Sequence, residues 1–468
     1  MKKVLGLIAA SMLLATSAWA VEAAPQYNCD YQPSCEVGPG IYGAMSSPVT
    51  SKFNLSIGGF VKAEYAYNSY NNGNWGAISP NGPIAAGGSA AQKGDQSILT
   101  ARESRFWLKS TGPTFLGAKT GALIEGDFYG DPSLAQESPQ FRMRHAYLTM
   151  DWPNTQILAG QYWDTWGPAI ADTVDFRMGS ATGTPNTPRV PQLRLSQKIP
   201  FNADNSLKMI LAVQDPQQDG NNTENIQVGT AGGKATVNSI TGMATSGAMV
   251  NAVGQINFES KALGVAPGLM GVSQKPLTLG LFGSVGSQKT NVKLTGAQAP
   301  TAVGHAIDVY GYGIYGFIPV LKSSDGKTRA MTMSLEAQGY ISAGMNYNSS
   351  NAAQLAAHSS TATGQKGYGI YGQVRFFPIQ DLGIVGGYGR RNVLNTSANV
   401  AAATATAIGG EVYNEEIYGN VSYDLNAAIR IQTEYQHMRS KYNGGSGNGE
   451  LSDSGQANII RLCAYYFF

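Results

Sequence analysis

Residues 455–468, GQANIIRLCAYYFF, limit the fold more than any other stretch. Read in steps of two from the end, Phe468, Tyr466, Ala464, Leu462 and Ile460 form one apolar face. Phe467, Tyr465, Cys463, Arg461 and Ile459 form the other, which is mixed rather than polar. A period of two belongs to a β-strand, whose successive side chains point to opposite sides. The run ends on an aromatic residue, and an apolar strand edge left open pairs with other chains. Such a strand is either buried as an ordinary C-terminal strand or joined to the first strand of a sheet closed within lipid, where no edge remains.

The rest of the sequence supports closure in lipid. Lys2 and Lys3 precede an apolar run at 4–15, and Ala18-Trp19-Ala20 offers small residues to a peptidase. Residues 1–20 therefore read as a secretory signal peptide, with a retained anchor as the alternative. Charged residues make up only 13% of the 468 residues, about half the share usual in soluble domains. Gly (58) and Tyr (24) are abundant, which suits a barrel with an apolar exterior better than a soluble β-protein with a charged surface. No later stretch is apolar for the eighteen residues a membrane helix needs. Lys+Arg 32 against Asp+Glu 30 leaves a formal charge of +2, which gives no reason to expect nucleic acid.

Alternation becomes regular from residue 52. Leu55, Ile57, Val61, Ala63, Tyr65 and Tyr67 share one face, Lys62 and Glu64 the other, with Phe60 as an exception on the polar side. Strands follow at 97–110, at 121–129 (Glu125 and Asp127 against Ile124 and Phe128), at 140–150 (Phe141, Met143 and Tyr147 against Arg142 and Arg144) and at 155–163. Connections alternate between long and short, the rhythm of a membrane barrel with long outer loops and tight periplasmic turns. Continued to the end, the pattern predicts an all-β, transmembrane, antiparallel up-and-down barrel of about sixteen strands, with fourteen or eighteen as alternatives. Three segments result: the signal peptide at 1–20, an N-terminal periplasmic or lumenal segment at 21–51, and one barrel at 52–468. The N-terminal segment holds Cys29 and Cys35, for which a local disulfide is expected in an oxidising compartment, a metal pair being the alternative without nearby histidines. Cys463 reads as a small buried residue of the last strand. A barrel of this size leaves a water-filled channel.

The candidate site is centred on residues 141–198. Arg142, Arg144 and Arg194 are expected to face the lumen from the fourth and sixth strands, and Lys198 extends that stripe. Glu125 and Asp127 line the lumen beside them. The intervening third outer loop, at 164–190, carries Asp164, Asp172, Asp175 and Arg177. Residues 101–110 (ARESRFWLKS), 122–130 (ALIEGDFYG), 141–148 (FRMRHAYL), 158–167 (LAGQYWDTWG) and 191–197 (PQLRLSQ) resemble the trimeric porins of Gram-negative outer membranes, and more narrowly the DcaP-like porins. Terminal Phe468 resembles the signature by which such barrels are assembled. The resemblance implies an outer-membrane homotrimer, a third loop folded inward to narrow the pore, and passive diffusion of small hydrophilic solutes and ions. Members of the family carry an N-terminal coiled coil, and residues 21–51 show no heptads. A basic wall opposite an acidic loop sets a transverse field across a narrow aqueous gap. Arg grips carboxylates two-pronged, which suggests passage of small anions or carboxylates. The alternative is that these arginines pair with Asp164, Asp172 or Asp175 and stiffen the loop.

Two other functions compete. An outer-membrane hydrolase needs a nucleophile with its base. The four histidines (His145, His305, His358 and His437) accompany no Gly-x-Ser-x-Gly elbow or His-Glu-x-x-His pair, so no catalytic residue, metal or cofactor is expected. A structural barrel sheathing a partner such as an electron carrier would have a larger, emptier lumen with no inward loop.

Overall fold

The computed structural model describes residues 54–71, 84–87, 89–130, 139–175, 189–215, 250–286, 310–343, 366–394, 412–443 and 453–468, and the backbone of 43–45, 226–230, 233–237, 249, 287–292, 303–309, 355–358, 361–364 and 411. Cys29, Cys35 and Arg177 lie outside the described residues.

A closed antiparallel barrel of 16 strands forms the body of the molecule. The strands are β1 (Asn54–Asn68), β2 in two parts (Gln96–Thr100 and Arg105–Thr111), β3 (Lys119–Asp127), β4 (Arg142–Asp151), β5 (Thr155–Trp163), β6 (Arg189–Pro200), β7 (Asn205–Gln214) and β8 (Met249–Pro267). They continue with β9 (Gln274–Val292), β10 (Val303–Leu321), β11 (Thr332–Ala343), β12 (Lys366–Ile379), β13 (Leu382–Val393), β14 (Glu411–Asp424), β15 (Ile429–Tyr442) and β16 (Ser454–Phe467). Each pairs with its sequence neighbour, and β16 returns to β1 with Phe60 opposite Phe467 and Asn68 opposite Ile459. The ring is completed at its last residue: Phe468 N–H donates to Gly59 O (3.1 Å), and Gly59 N–H donates to Phe468 O (3.0 Å). A further short strand, Gly43–Met45, pairs with the start of β1. Two hairpins from the β7–β8 and β11–β12 connections, Ile226–Thr230 with Gly233–Val237 and Leu355–His358 with Thr361–Gly364, form a separate four-stranded sheet.

The burial pattern is inverted relative to a soluble protein. Val61 and Tyr65 on β1, Leu281 and Val285 on β9, Tyr312 and Ile314 on β10, and Leu462 and Tyr466 on β16 are exposed on the outside. Lys62, Glu64, Arg144, Arg375, Glu434 and Arg461 are buried within. An apolar exterior around a polar interior is stable in lipid, with every central backbone group paired around the closed ring. Phe60 is inward, as its phase requires, and its ring meets Tyr465 (5.6 Å) and Phe467 (6.1 Å) beneath the Arg105 guanidinium. Cys463 is buried.

Two strands depart from simple alternation. The expected single strand at 97–110 is broken at 101–104, where Ser104 N–H donates to Ala101 O. The break turns Arg102 and Glu103 inward together, and the Glu103 carboxylate accepts a bond from Lys62 Nζ. On β4, Glu125 pairs with His145 whereas Gly126 pairs with Met143, so Arg144 is the extra residue of a β-bulge. The bulge reverses the expected phase beyond it. Arg144, His145 and Tyr147 all point into the barrel, and Leu148 faces out, correcting the placement of Tyr147 on the outer face. Gly160 on β5, opposite Tyr147, has φ +127, and a Cβ there would lie 2.3 Å from Ala146 O. Gly160→Ala should therefore cost about 1–3 kcal/mol, measured as a lower urea midpoint of the folded barrel in detergent.

The short connections are built by local chemistry. In the β10–β11 turn, Asp325 Oδ1 accepts from the backbone N–H of Thr328 (2.7 Å) and Lys327 (2.8 Å), and Gly326 takes φ +74. Those bonds hold the Asp325 carboxyl below the usual carboxylate range.

Candidate functional site

The segment after β5 turns into the barrel and crosses it. Thr165 N–H donates to Gln214 Oε1 on β7 (3.3 Å), Thr165 Oγ1 donates to Gln192 Oε1 on β6 (2.9 Å), and Thr165 O accepts from Gln255 Nε2 on β8 (2.5 Å). Ala169 N–H reaches Gln338 Oε1 on β11 (3.1 Å). Gln373 on β12 grips the chain twice, donating to Ile170 O (2.9 Å) and accepting from Asp172 N–H (3.1 Å). Asn420 on β14 donates to Asp172 O (2.6 Å), Glu434 on β15 accepts from Val174 N–H (2.7 Å), and Lys62 on β1 donates to Val174 O (2.8 Å). Side chains from most of the way round the wall thus satisfy the loop backbone, which replaces the strand pairing an interior segment lacks. Trp166, Ala169 and Ala171 pack on Phe282, Tyr315, Phe317, Tyr340, Tyr371 and Tyr418 of the β9–β14 wall.

Two acidic residues of the described part of the loop are held by arginines of β12 and β16. Asp164 accepts from Gln214 Nε2 (2.5 Å) and Trp166 N–H (2.9 Å). Asp172 is held two-pronged by Arg375 of β12, whose Nε and Nη2 lie 2.7 and 3.2 Å away. Arg375 also binds Glu336 of β11 at 2.6 Å. Asp175 pairs with Arg461 of β16 at 3.2 Å, and Arg461 also engages Glu64 and Glu434. The alternative that Arg142, Arg144 and Arg194 pair with the loop carboxylates is therefore corrected for Asp172 and Asp175: their guanidinium partners are Arg375 and Arg461.

The β4 arginines pair instead with β3. Arg142 binds Asp127 two-pronged (2.9 and 2.6 Å), with part of its side chain open to the lumen. Arg144 is fully buried between Glu125 (2.8 Å) and Asp127 (3.0 Å). Arg105 of β2 stands 3.7 Å from Glu125, and Arg189 of β6 stacks over Trp163. Arg144 and Arg189 both lie over the Trp163 ring, at 5.8 and 4.9 Å, so among the described residues four guanidiniums gather near the two carboxylates Glu125 and Asp127, a formal excess of positive charge. Arg194 lies over the Tyr162 ring and donates to Gln156 Oε1 (3.1 Å). Lys198 is half-exposed, 3.5 Å from Glu259. His145 is buried with its ring against Tyr162 and Trp163. A contrasting group occupies β15, β16, β1 and the loop end, where four carboxyl groups, Glu64, Glu103, Asp175 and Glu434, surround Lys62 and Arg461. Glu103, Arg105, Arg189, Arg375, Glu336, Glu434 and Arg461 were not among the candidate site residues. Arg375 and Arg461 carried one signal, a charge in the inward phase of a strand.

A closed sixteen-stranded barrel, apolar outside and polar within, narrowed by the loop after its fifth strand, is the porin fold. No family profile and no curated protein matches the sequence. Among solved structures, the chain is similar to the outer membrane channel DcaP of Acinetobacter baumannii, with a TM-score of 0.63 and 17% identity over 91% of this chain and 100% of that chain. It is more loosely similar to an anion-selective porin from Comamonas acidovorans (TM-score 0.48, 12% identity, 89% of this chain and 100% of that chain). The corresponding values for OprB of Pseudomonas putida are 0.48 and 12%, over 88% of this chain and 94% of that chain. The first match carries the fold.

Proposed function

We propose that this chain is an outer-membrane porin giving passive diffusion to small hydrophilic solutes and ions, exported by the signal peptide at 1–20 and working as a homotrimer. The observation that carries this reading is the third loop crossing the lumen, bonded to wall side chains of nine strands. The fold match is to a channel, which supports transport over catalysis. A sheath for a partner protein calls for an open lumen, and the inward loop weighs against it. Within the porin reading, the net positive wall at β2–β6 gives a bias toward small anions, carboxylates included, with Arg142 the arginine of the β3–β4 cluster that retains lumenal exposure. Within the same proposal, residues 21–51 form a periplasmic or lumenal segment with a Cys29–Cys35 disulfide.

Conductance of the purified protein in a planar bilayer under a salt gradient tests the proposal. Stepwise openings arriving in threes and closing singly are expected, with a reversal potential of the sign for anions. Folded, heat-modifiable protein that passes no current would overturn the porin reading, and a cation-signed potential would overturn the anion bias alone.

A further inference from the structure

The short connection between β8 and β9 differs from most of the other short connections in sequence, and from the apolar β2–β3 turn, whose Phe115 and Leu116 are exposed, in its burial. Its sequence at 266–272, APGLMGV, is apolar, whereas a turn facing water is ordinarily polar. Residues after Ser260 slip in register, with Ser260 opposite Leu277 and Val265 opposite Pro276. Gly264 takes φ +76 in that slip. The hairpin beyond it bends into the lumen. Pro267 O accepts from Ser334 Oγ of β11 (2.8 Å), and Val265 O accepts from Ser323 N–H (2.7 Å). Ala266, Pro267, Gly268 and Gly271 are buried. A Cβ on Gly271 would lie 2.6 Å from Phe377 of β12, so the tip passes close over that wall.

The tip also reaches across the barrel. Leu269 and Met270, partly buried, pack against the cluster formed by Trp107, Leu123, Tyr147, Leu158, Tyr162 and Trp163 of β2–β5 and Ile170 of the third loop. Met270 holds a left-handed backbone (φ 50°, ψ 20°), and its N–H donates to Asp172 Oδ2 at 2.9 Å. The third loop enters from one end of the barrel and this hairpin from the other, and they meet at Asp172.

We propose that the β8–β9 hairpin tip is a second constriction element, which sets the solute size limit together with the third loop from the periplasmic side. This rests on the porin reading above. Leu269 and Met270 are its contact residues. Their burial against the far wall gives an apolar tip a stable place in an otherwise aqueous lumen.

The test uses two variants of the full-length protein: one with residues 268–273 shortened to Asn-Gly, and one carrying Leu269→Ser with Met270→Ser. Single-channel conductance should rise roughly twofold as the narrowest section widens, and larger neutral polyethylene glycols should enter the pore. If the shortened variant fails to fold, the serine pair, which keeps the turn's length and glycines, decides. Folded variants with the conductance and polymer cut-off of the parent would overturn the inference. A parent protein that passes no current would instead overturn the porin reading.

Discussion

Replacement of Arg375 by alanine will loosen the third loop and cost about 3–5 kcal/mol of stability, the range for removing one partner of a buried ion pair. Arg375 is fully buried and satisfies two carboxylates, Asp172 on the loop and Glu336 on β11. Without it, Glu336 retains Lys275 at 3.8 Å and the Tyr315 hydroxyl at 2.6 Å, while Asp172 retains the Met270 N–H. Two negative charges would then share a buried site with no guanidinium between them. The urea midpoint of the heat-modifiable form measures the loss, and single-channel records should show added open-state noise as the loop moves. Adding Glu336→Gln to Arg375→Ala should recover part of the stability, because one of the stranded charges is gone. Arg375→Lys should recover less than its charge suggests, since an ammonium cannot make the two-pronged contact to Asp172. An unchanged midpoint for Arg375→Ala would refute the anchoring role.

Arg142→Ala and Arg144→Ala should separate selectivity from stability. Arg142 retains lumenal exposure, whereas Arg144 has none. A unit charge about 4 Å from a passing ion acts with about 1 kcal/mol in water, roughly a fivefold effect on an equilibrium constant. Arg142→Ala should therefore lower the anion-to-cation permeability ratio severalfold and leave Asp127 supported by Arg144. Arg144→Ala should chiefly destabilise, because Glu125 and Asp127 are buried around it and the bulge that admits it would relax. Both quantities come from the same preparations, as a reversal potential and a urea midpoint. A reversal potential unmoved by Arg142→Ala would remove the anion bias. Equal effects of the two substitutions on both readouts would refute the division of roles.

Much of the barrel was legible because membrane strands write their orientation at period two. The outer face of β16 (Ile460, Leu462, Tyr466 and Phe468) and of β1 (Leu55, Ile57, Val61 and Tyr65) is as the alternation predicts. Phe60, the apolar residue on the polar side, follows its phase inward, where its ring meets Tyr465 and Phe467. The alternation does not reveal an inserted residue: the bulge at Arg144 changes the phase of His145 and Tyr147 without changing composition. Neither does it reveal pairing across the lumen. Asp172 and Arg375 are separated by 203 positions, and only closure of the ring brings them together. The inward loop was expected from family resemblance, but which wall its carboxylates face depends on three-dimensional placement. The β8–β9 tip did leave a local trace, an apolar turn where most of the other short turns carry Asn or Asp, as in WPN at 152–154 and FNAD at 201–204.

The crosspiece inside this barrel is fastened mainly by carboxamides: Gln192, Gln214, Gln255, Gln338, Gln373 and Asn420. An amide neither gains nor loses a proton in ordinary surroundings, and dissolved salt does not screen its bonds as it screens exposed charges. The bore should accordingly keep its width in dilute fresh water, in brine and in mildly acid soil. The ions passing through it will feel those changes far more than the frame that sizes them.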